Sequence, residues 1–166
     1  MFVALAALSA AALWWFYRNG YLLYYGDATA HLNIARRIVD SRTPGLDQIG
    51  TVWLPLPHLM AAPLARNDFL WRSGLAGAIP AALSFVVAGC FLFAALRRLL
   101  GSAPAAAVAL ALLAGNPNLL YLASIPMTES IFLAAFFGLL YFTIRFRDRP
   151  SVWTALGAGA AALAGT

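Results

Sequence analysis

The stretch Gly74–Leu96, GLAGAIPAALSFVVAGCFLFAAL, runs 23 residues without a charge and is closed by Arg97 and Arg98. At 1.5 Å per residue a helix of that length reaches about 35 Å, against about 30 Å of bilayer hydrocarbon. It reads as a membrane-spanning helix, and the rest of the chain is organised by it. Four more apolar runs accompany it. Phe2–Tyr17 ends in Trp14, Trp15, Phe16 and Tyr17. No basic residue precedes this run, and bulky aromatics stand where a signal peptide needs small residues, so an uncleaved span with an interfacial aromatic belt is expected. Residues 103–122 form a run interrupted near Asn116-Pro117-Asn118, and residues 128–144 one closed by Arg145, Arg147 and Arg149. A fifth, from 152, is cut short at 166, as expected of the N-terminal part of a longer protein. The expected fold is all-α: a polytopic transmembrane helix bundle with spans at about 2–17, 74–96, 103–122, 128–144 and 152–166, and one loop, 18–73, carrying amphipathic juxtamembrane helices.

Composition agrees. Of 166 residues 63% are hydrophobic and 10% charged, with mean hydropathy +0.80; soluble domains are about half apolar and a quarter charged. Such a chain has too little polar surface to cover itself in water. The net charge of +5 comes from scattered arginines with no basic stripe or RNA-binding aromatic signature, so no nucleic-acid partner is expected. All eleven basic residues are Arg, which with the abundance of Ala suits a high-GC bacterial genome. Cys90, the single cysteine, excludes an intrachain disulfide and a Cys-based zinc site.

Parity assigns sides. Loops 97–102 and 145–151 share one face and carry Arg97, Arg98, Arg145, Arg147 and Arg149; loop 116–127, on the other face, carries no basic residue. The positive-inside rule puts the arginine-rich pair in the cytoplasm. Loop 18–73 then faces outward, together with Asp27, Asp40, Asp47, Asp68 and Glu129.

Within that loop, Asp27–Ser41, DATAHLNIARRIVDS, is predicted helical. At about 100° per residue, Thr29, Asn33, Arg36, Arg37 and Asp40 share one face, and Asp27 and His31 fall on the apolar side, toward the bundle. Ionisable groups so directed are functional candidates, against competing readings of Asp27 as helix cap and His31 as a packed core side chain. Gly50–Ala65 is too short and proline-broken to span, so a re-entrant or surface segment is expected, with His58 held at the interface behind Pro55 and Pro57. Glu129 opens the fourth span behind Thr128, a candidate cap; an acid there is also favoured by the helix dipole. Two carboxylates meeting at one membrane boundary suit either a divalent metal or a division into base and orienting group.

An initial span, an acid just after it, surface helices in the first outer loop and a second acid opening the fourth span resemble the GT-C superfamily of membrane glycosyltransferases, particularly bacterial relatives of protein O-mannosyltransferases. The carrying segments are YYGDATAHLNIARRIVD, GTVWLPLPHLM and NPNLLYLASIPMTES. The resemblance implies transfer of a hexose from a polyprenyl-phosphate donor to a glycan, lipid or protein hydroxyl, with inversion, at the outer face of a bacterial cytoplasmic membrane. It implies Asp27 as base or metal ligand and Glu129 as the second acid. His31, Arg36, Arg37, His58 and Arg72 would bind substrate, the arginines pairing with the lipid phosphate. Asp27 is not part of an Asp-Glu pair, and no Asp-x-Asp or Asp-x-Glu surrounds Glu129; both are departures from metal-dependent relatives. A transporter or flippase is the main rival, although it would favour repeats and charges within spans. A non-enzymatic assembly subunit is the other.

Overall fold

The structure is a computed structural model that describes residues 2–50 and 52–166. Nine α-helices are formed among them: α1 (Phe2–Arg18), α2 (Gly26–Val39), α3 (Pro55–Ala65), α4 (Asp68–Ser73), α5 (Leu75–Leu100), α6 (Ala103–Ala114), α7 (Pro117–Leu122), α8 (Glu129–Asp148) and α9 (Val152–Ala164). A single 3₁₀ turn, Leu46–Ile49, follows α2, and the described residues contain no strand. The chain is all-α, as expected.

Two helices, α5 at 26 residues and α8 at 20, are long and apolar enough to cross a membrane; α1, α6 and α9 are apolar but shorter. The run at 103–122 is divided. Helix α6 stops at Ala114, and the Asn116 side chain accepts hydrogen bonds from the backbone N–H groups of Asn118 and Leu119 to start α7 at Pro117. Asn as cap and Pro in the first turn are the local reason: one satisfies free amides and the other has no amide to satisfy.

Helix α5 is the hub, packing against α1, α2, α3, α4, α6 and α8. Small residues let it do so, as in membrane helices generally. Gly89 lies under Leu5 of α1 and Leu110 of α6, where any Cβ would collide, and Ser9 Oγ donates to the Ala82 carbonyl at 3.0 Å, fastening α1 to α5. Helices α5 and α8 run parallel. The first turn of α5 meets the segment leading into α8 where Gly77 approaches Pro126, and their last turns are joined by Arg98 and Asp148, 3.4 Å apart. The arginine-rich termini thus share one end of the pair, and α2, α3 and α4 gather at the other.

The loop helices pack through Leu32 and Ala35 of α2, Ala61 and Ala65 of α3, and Ala76 of α5. Arg36 clasps them. Its guanidinium donates to the Ala65 and Arg66 carbonyls, pairs with Asp40 and with Asp68 at 2.8 Å, and lies over the Trp71 ring at 5.0 Å. A cation on the carbonyl end of α3 satisfies acceptors that the helix leaves free.

The Gly77 contact yields a paired test. A Cβ at 77 would lie 2.6 Å from Pro126 Cβ and 3.0 Å from its Cα, whereas one at Gly159 in α9 meets nothing within 4 Å. Gly77→Ala is expected to lower stability by about 1–3 kcal/mol through overpacking, and Gly159→Ala to raise it by roughly 0.5–1 kcal/mol through helix propensity. Thermal unfolding in detergent measures both, and equal effects would refute the close approach.

Candidate functional site

Where α2, α3, α5 and α8 converge, a cavity of about 10 Å³ is lined by His31, Pro57, His58, Gly77, Pro126 and Thr128, among others, which is room for roughly one water molecule. Its polar core is a histidine pair. His31 Nδ1 lies 2.9 Å from His58 Nε2, and His58 Nδ1 lies 2.8 Å from the Leu54 carbonyl oxygen. The Trp53 ring meets His31 edge-on at 4.7 Å between centroids. Both histidines are buried, at 6% and 1% exposure. Burial pushes the His31 pKa below its usual value, only partly opposed by the negative charge of Asp27. His58 is lowered too, again chiefly by burial, with the Leu54 bond opposing and His31 adding to the effect. Both imidazoles are therefore neutral near pH 7.

Neither acid lines this cavity, but each neighbours a residue that does: Asp27 lies one turn before His31, and Glu129 directly follows Thr128. Asp27 lies in the first turn of α2. Its neighbour Ala28 packs with Ile125 and Met127, just before Glu129 opens α8. The expectation that Asp27 points into the bundle needs correction, because it is exposed while His31, one turn on, is buried. Helical side chains lean toward the N-terminus. His31 therefore lies over its own first turn, and Asp27 leans past the helix end. Nor does Asp27 cap α2: Tyr25 holds the cap position, with no side-chain cap bond. Thr128 likewise occupies the cap position of α8 without its side chain bonding an amide. Glu129 Oε2 and Ser130 Oγ are buried and have no hydrogen-bond partner among the described residues. An unpartnered buried carboxylate oxygen costs free energy, and a catalytic or ligand-binding role is one of the explanations for such a group.

The arginines are dispersed. Arg36 is engaged by Asp40, Asp68 and two carbonyls. Arg72 is exposed, with its guanidinium over the Trp71 ring at 5.6 Å. Arg37 borders a separate recess with Asp47, Gln48, Gly50 and Trp53. Among the described residues no three His, Cys, Asp or Glu side chains gather as a metal site, so the donors present do not by themselves build a metal centre. Sequence reasoning missed Gly77, Pro126 and the Leu54 carbonyl, which shape the cavity and anchor the histidine pair. A glycine and a proline in apolar surroundings were the only signal.

The histidine pair sets a pH dependence. A folded-state pKa below the ordinary 6.5 means that the unfolded chain binds protons first. The contribution is intact above pH 6.5 and is lost as pH falls from there through the lowered folded values. Hydrogen-exchange protection of α2 and α3 is expected to fall on acidification to about pH 5. It should fall less in the double variant His31→Asn/His58→Gln, which keeps a donor facing an acceptor without either titrating. Protection that rises with acid would contradict the buried neutral pair.

Comparison with known proteins adds the family. Residues 70–166, more than half of the chain, match the model of the family described as dolichyl-phosphate-mannose-protein mannosyltransferase. The matched segment includes Arg72, Gly77, Pro126 and Glu129, and the helices bearing Asp27, His31 and His58 precede it. No curated protein and no solved structure matches. Because the family match covers more than half of the chain, over the segment that builds α5 to α9, the chain belongs to the dolichyl-phosphate-mannose-protein mannosyltransferase family of glycosyltransferases.

Proposed function

We propose that this chain contributes to an inverting transfer of a mannose-like hexose from a polyprenyl-phosphate donor to an acceptor hydroxyl at the outer face of a bacterial cytoplasmic membrane. The observation that carries this reading is the packing of Ala28, at the start of α2, with Ile125 and Met127 of the segment leading into α8, beside a cavity lined by His31 and Thr128, in a chain of a mannosyltransferase family. An acceptor hydroxyl is a poor nucleophile at neutral pH and needs a positioned base as it attacks the anomeric carbon. Asp27 is exposed and close enough to His31 for its charge to be felt there. As the attacking oxygen bonds to the anomeric carbon, its proton passes to the Asp27 carboxylate. The bond to the phosphate oxygen breaks on the opposite side, which inverts the centre. Glu129, with a buried oxygen lacking a partner, orients a substrate hydroxyl.

The departing lipid phosphate needs cations. Arg37 and Arg72 make no ion pair with a carboxylate among the described residues and suit that task; Arg36, paired with Asp40 and Asp68, holds the loop in place. The outward orientation is supported by the arginine-rich ends of the parallel helices α5 and α8, which the positive-inside rule assigns to the cytoplasm. In this reading α1, α6 with α7, and α9 also lie at membrane depth, and the lipid bilayer is their solvent.

Asp27→Asn in the intact protein is expected to cut transfer from a radiolabelled polyprenyl-phosphate-mannose by about 10²–10⁴-fold, the usual weight of a general base. Glu129→Gln should lower it by about 10-fold or more, for a lost charged hydrogen bond. Unchanged transfer in Asp27→Asn would remove the base assignment. Donor-independent movement of the lipid across vesicles would favour a flippase instead.

A further inference from the structure

A backbone carbonyl accepts hydrogen bonds and never donates them. The 2.8 Å contact between His58 Nδ1 and the Leu54 oxygen therefore places a proton on that nitrogen. At 1% exposure the His58 ring is in surroundings that disfavour a second proton, so its Nε2 holds a lone pair. His31 Nδ1 lies 2.9 Å from that lone pair. Two lone pairs do not face one another at this distance, so His31 Nδ1 carries the proton and donates. The neutral His31 ring is left with its lone pair on Nε2. The ring lines the cavity, and among the described residues no other group bonds to it. One backbone carbonyl thus dictates, through two imidazoles, which nitrogen of His31 is basic.

We propose that His31 Nε2 accepts a hydrogen bond from a hydroxyl of the bound sugar or acceptor, and that His58 is a positioning residue that locks His31 in the tautomer required. This rests on the transferase reading above and assigns the pair to a ligand class. A neutral imidazole presenting a lone pair rejects phosphate oxygens, which only accept, and selects an O–H group. The histidine pair therefore recognises the hydroxyl-bearing part of the substrate, and the lipid phosphate is left to the arginines. His58 does its part without touching substrate, as an outer partner orients a ligand-binding imidazole elsewhere.

The tautomer is read directly by ¹⁵N NMR of histidine-labelled intact protein in lipid nanodiscs near neutral pH. The expected spectrum has His31 protonated on Nδ1 and bare on Nε2. His58→Gln places an amide oxygen where Nε2 stood, so it should preserve the tautomer and keep kcat/KM for polyprenyl-phosphate-mannose within about threefold. His58→Leu removes the acceptor. It should mix the His31 tautomers and lower kcat/KM by about 10- to 100-fold, the weight of a lost buried hydrogen bond. If the leucine variant does not fold, the unmodified spectrum and the glutamine rescue still decide. Three results would overturn the proposal: His31 protonated on Nε2 in the unmodified protein, a leucine variant with tautomer and transfer unchanged, or a glutamine variant as impaired as the leucine one. A reversed tautomer with normal transfer removes this proposal alone. No transfer by the unmodified protein removes the transferase reading and, with it, the substrate role given to His31.

Discussion

The approach of Gly77 to Pro126 is the constraint on which the site depends. With Pro126 Cα 3.0 Å from where a Cβ would stand at position 77, the first turn of α5 and the segment leading into α8 lie closer than two ordinary side chains permit. That contact brings Thr128 and Ile131 to the cavity wall opposite His31 and His58. It also aligns α5 with α8, so that their far ends meet at Arg98 and Asp148.

Burial and charge are managed differently in the two halves of the loop. Around the cavity the polar groups are neutral and linked in series: Leu54 carbonyl to His58 to His31. Each link satisfies a buried group that would otherwise be costly to remove from water. Beyond it, charge is concentrated on Arg36, which gathers Asp40, Asp68 and the C-terminal carbonyls of α3 at a partly buried position. Its position between α2, α3 and α4 makes it the joint of the loop, where the sequence had suggested a phosphate ligand. Glu129 stands apart from both arrangements, its Oε2 buried without a partner. That residual need is what a bound substrate hydroxyl would satisfy.

The legible part of the fold was the part governed by local rules. Charge-free length marked α5, the Asn116-Pro117 pair marked the break before α7, and arginine clusters marked the ends of α5 and α8. The helical wheel of α2 buried His31 correctly, because a residue one turn inside a helix obeys periodicity. It misplaced Asp27, because at a helix end direction is set by side-chain lean and by what covers the terminus. It gave no sign of the partners of Arg36, since nothing within the 15 residues of that segment signals Asp68 and Ala65.

By itself, the sequence determined that the chain is helical and apolar, where its helices break, and which acids open α2 and α8. Those properties follow from hydropathy, capping and proline chemistry within a few residues of each position. Only the tertiary structure decided that His31 and His58, 27 residues apart, share a hydrogen bond. It alone decided that a carbonyl at Leu54 sets their protons and that a glycine in α5 admits Pro126 beside them. Contacts between distant segments depend on how closely helices can approach. That is a property of paired surfaces, and no single segment encodes it.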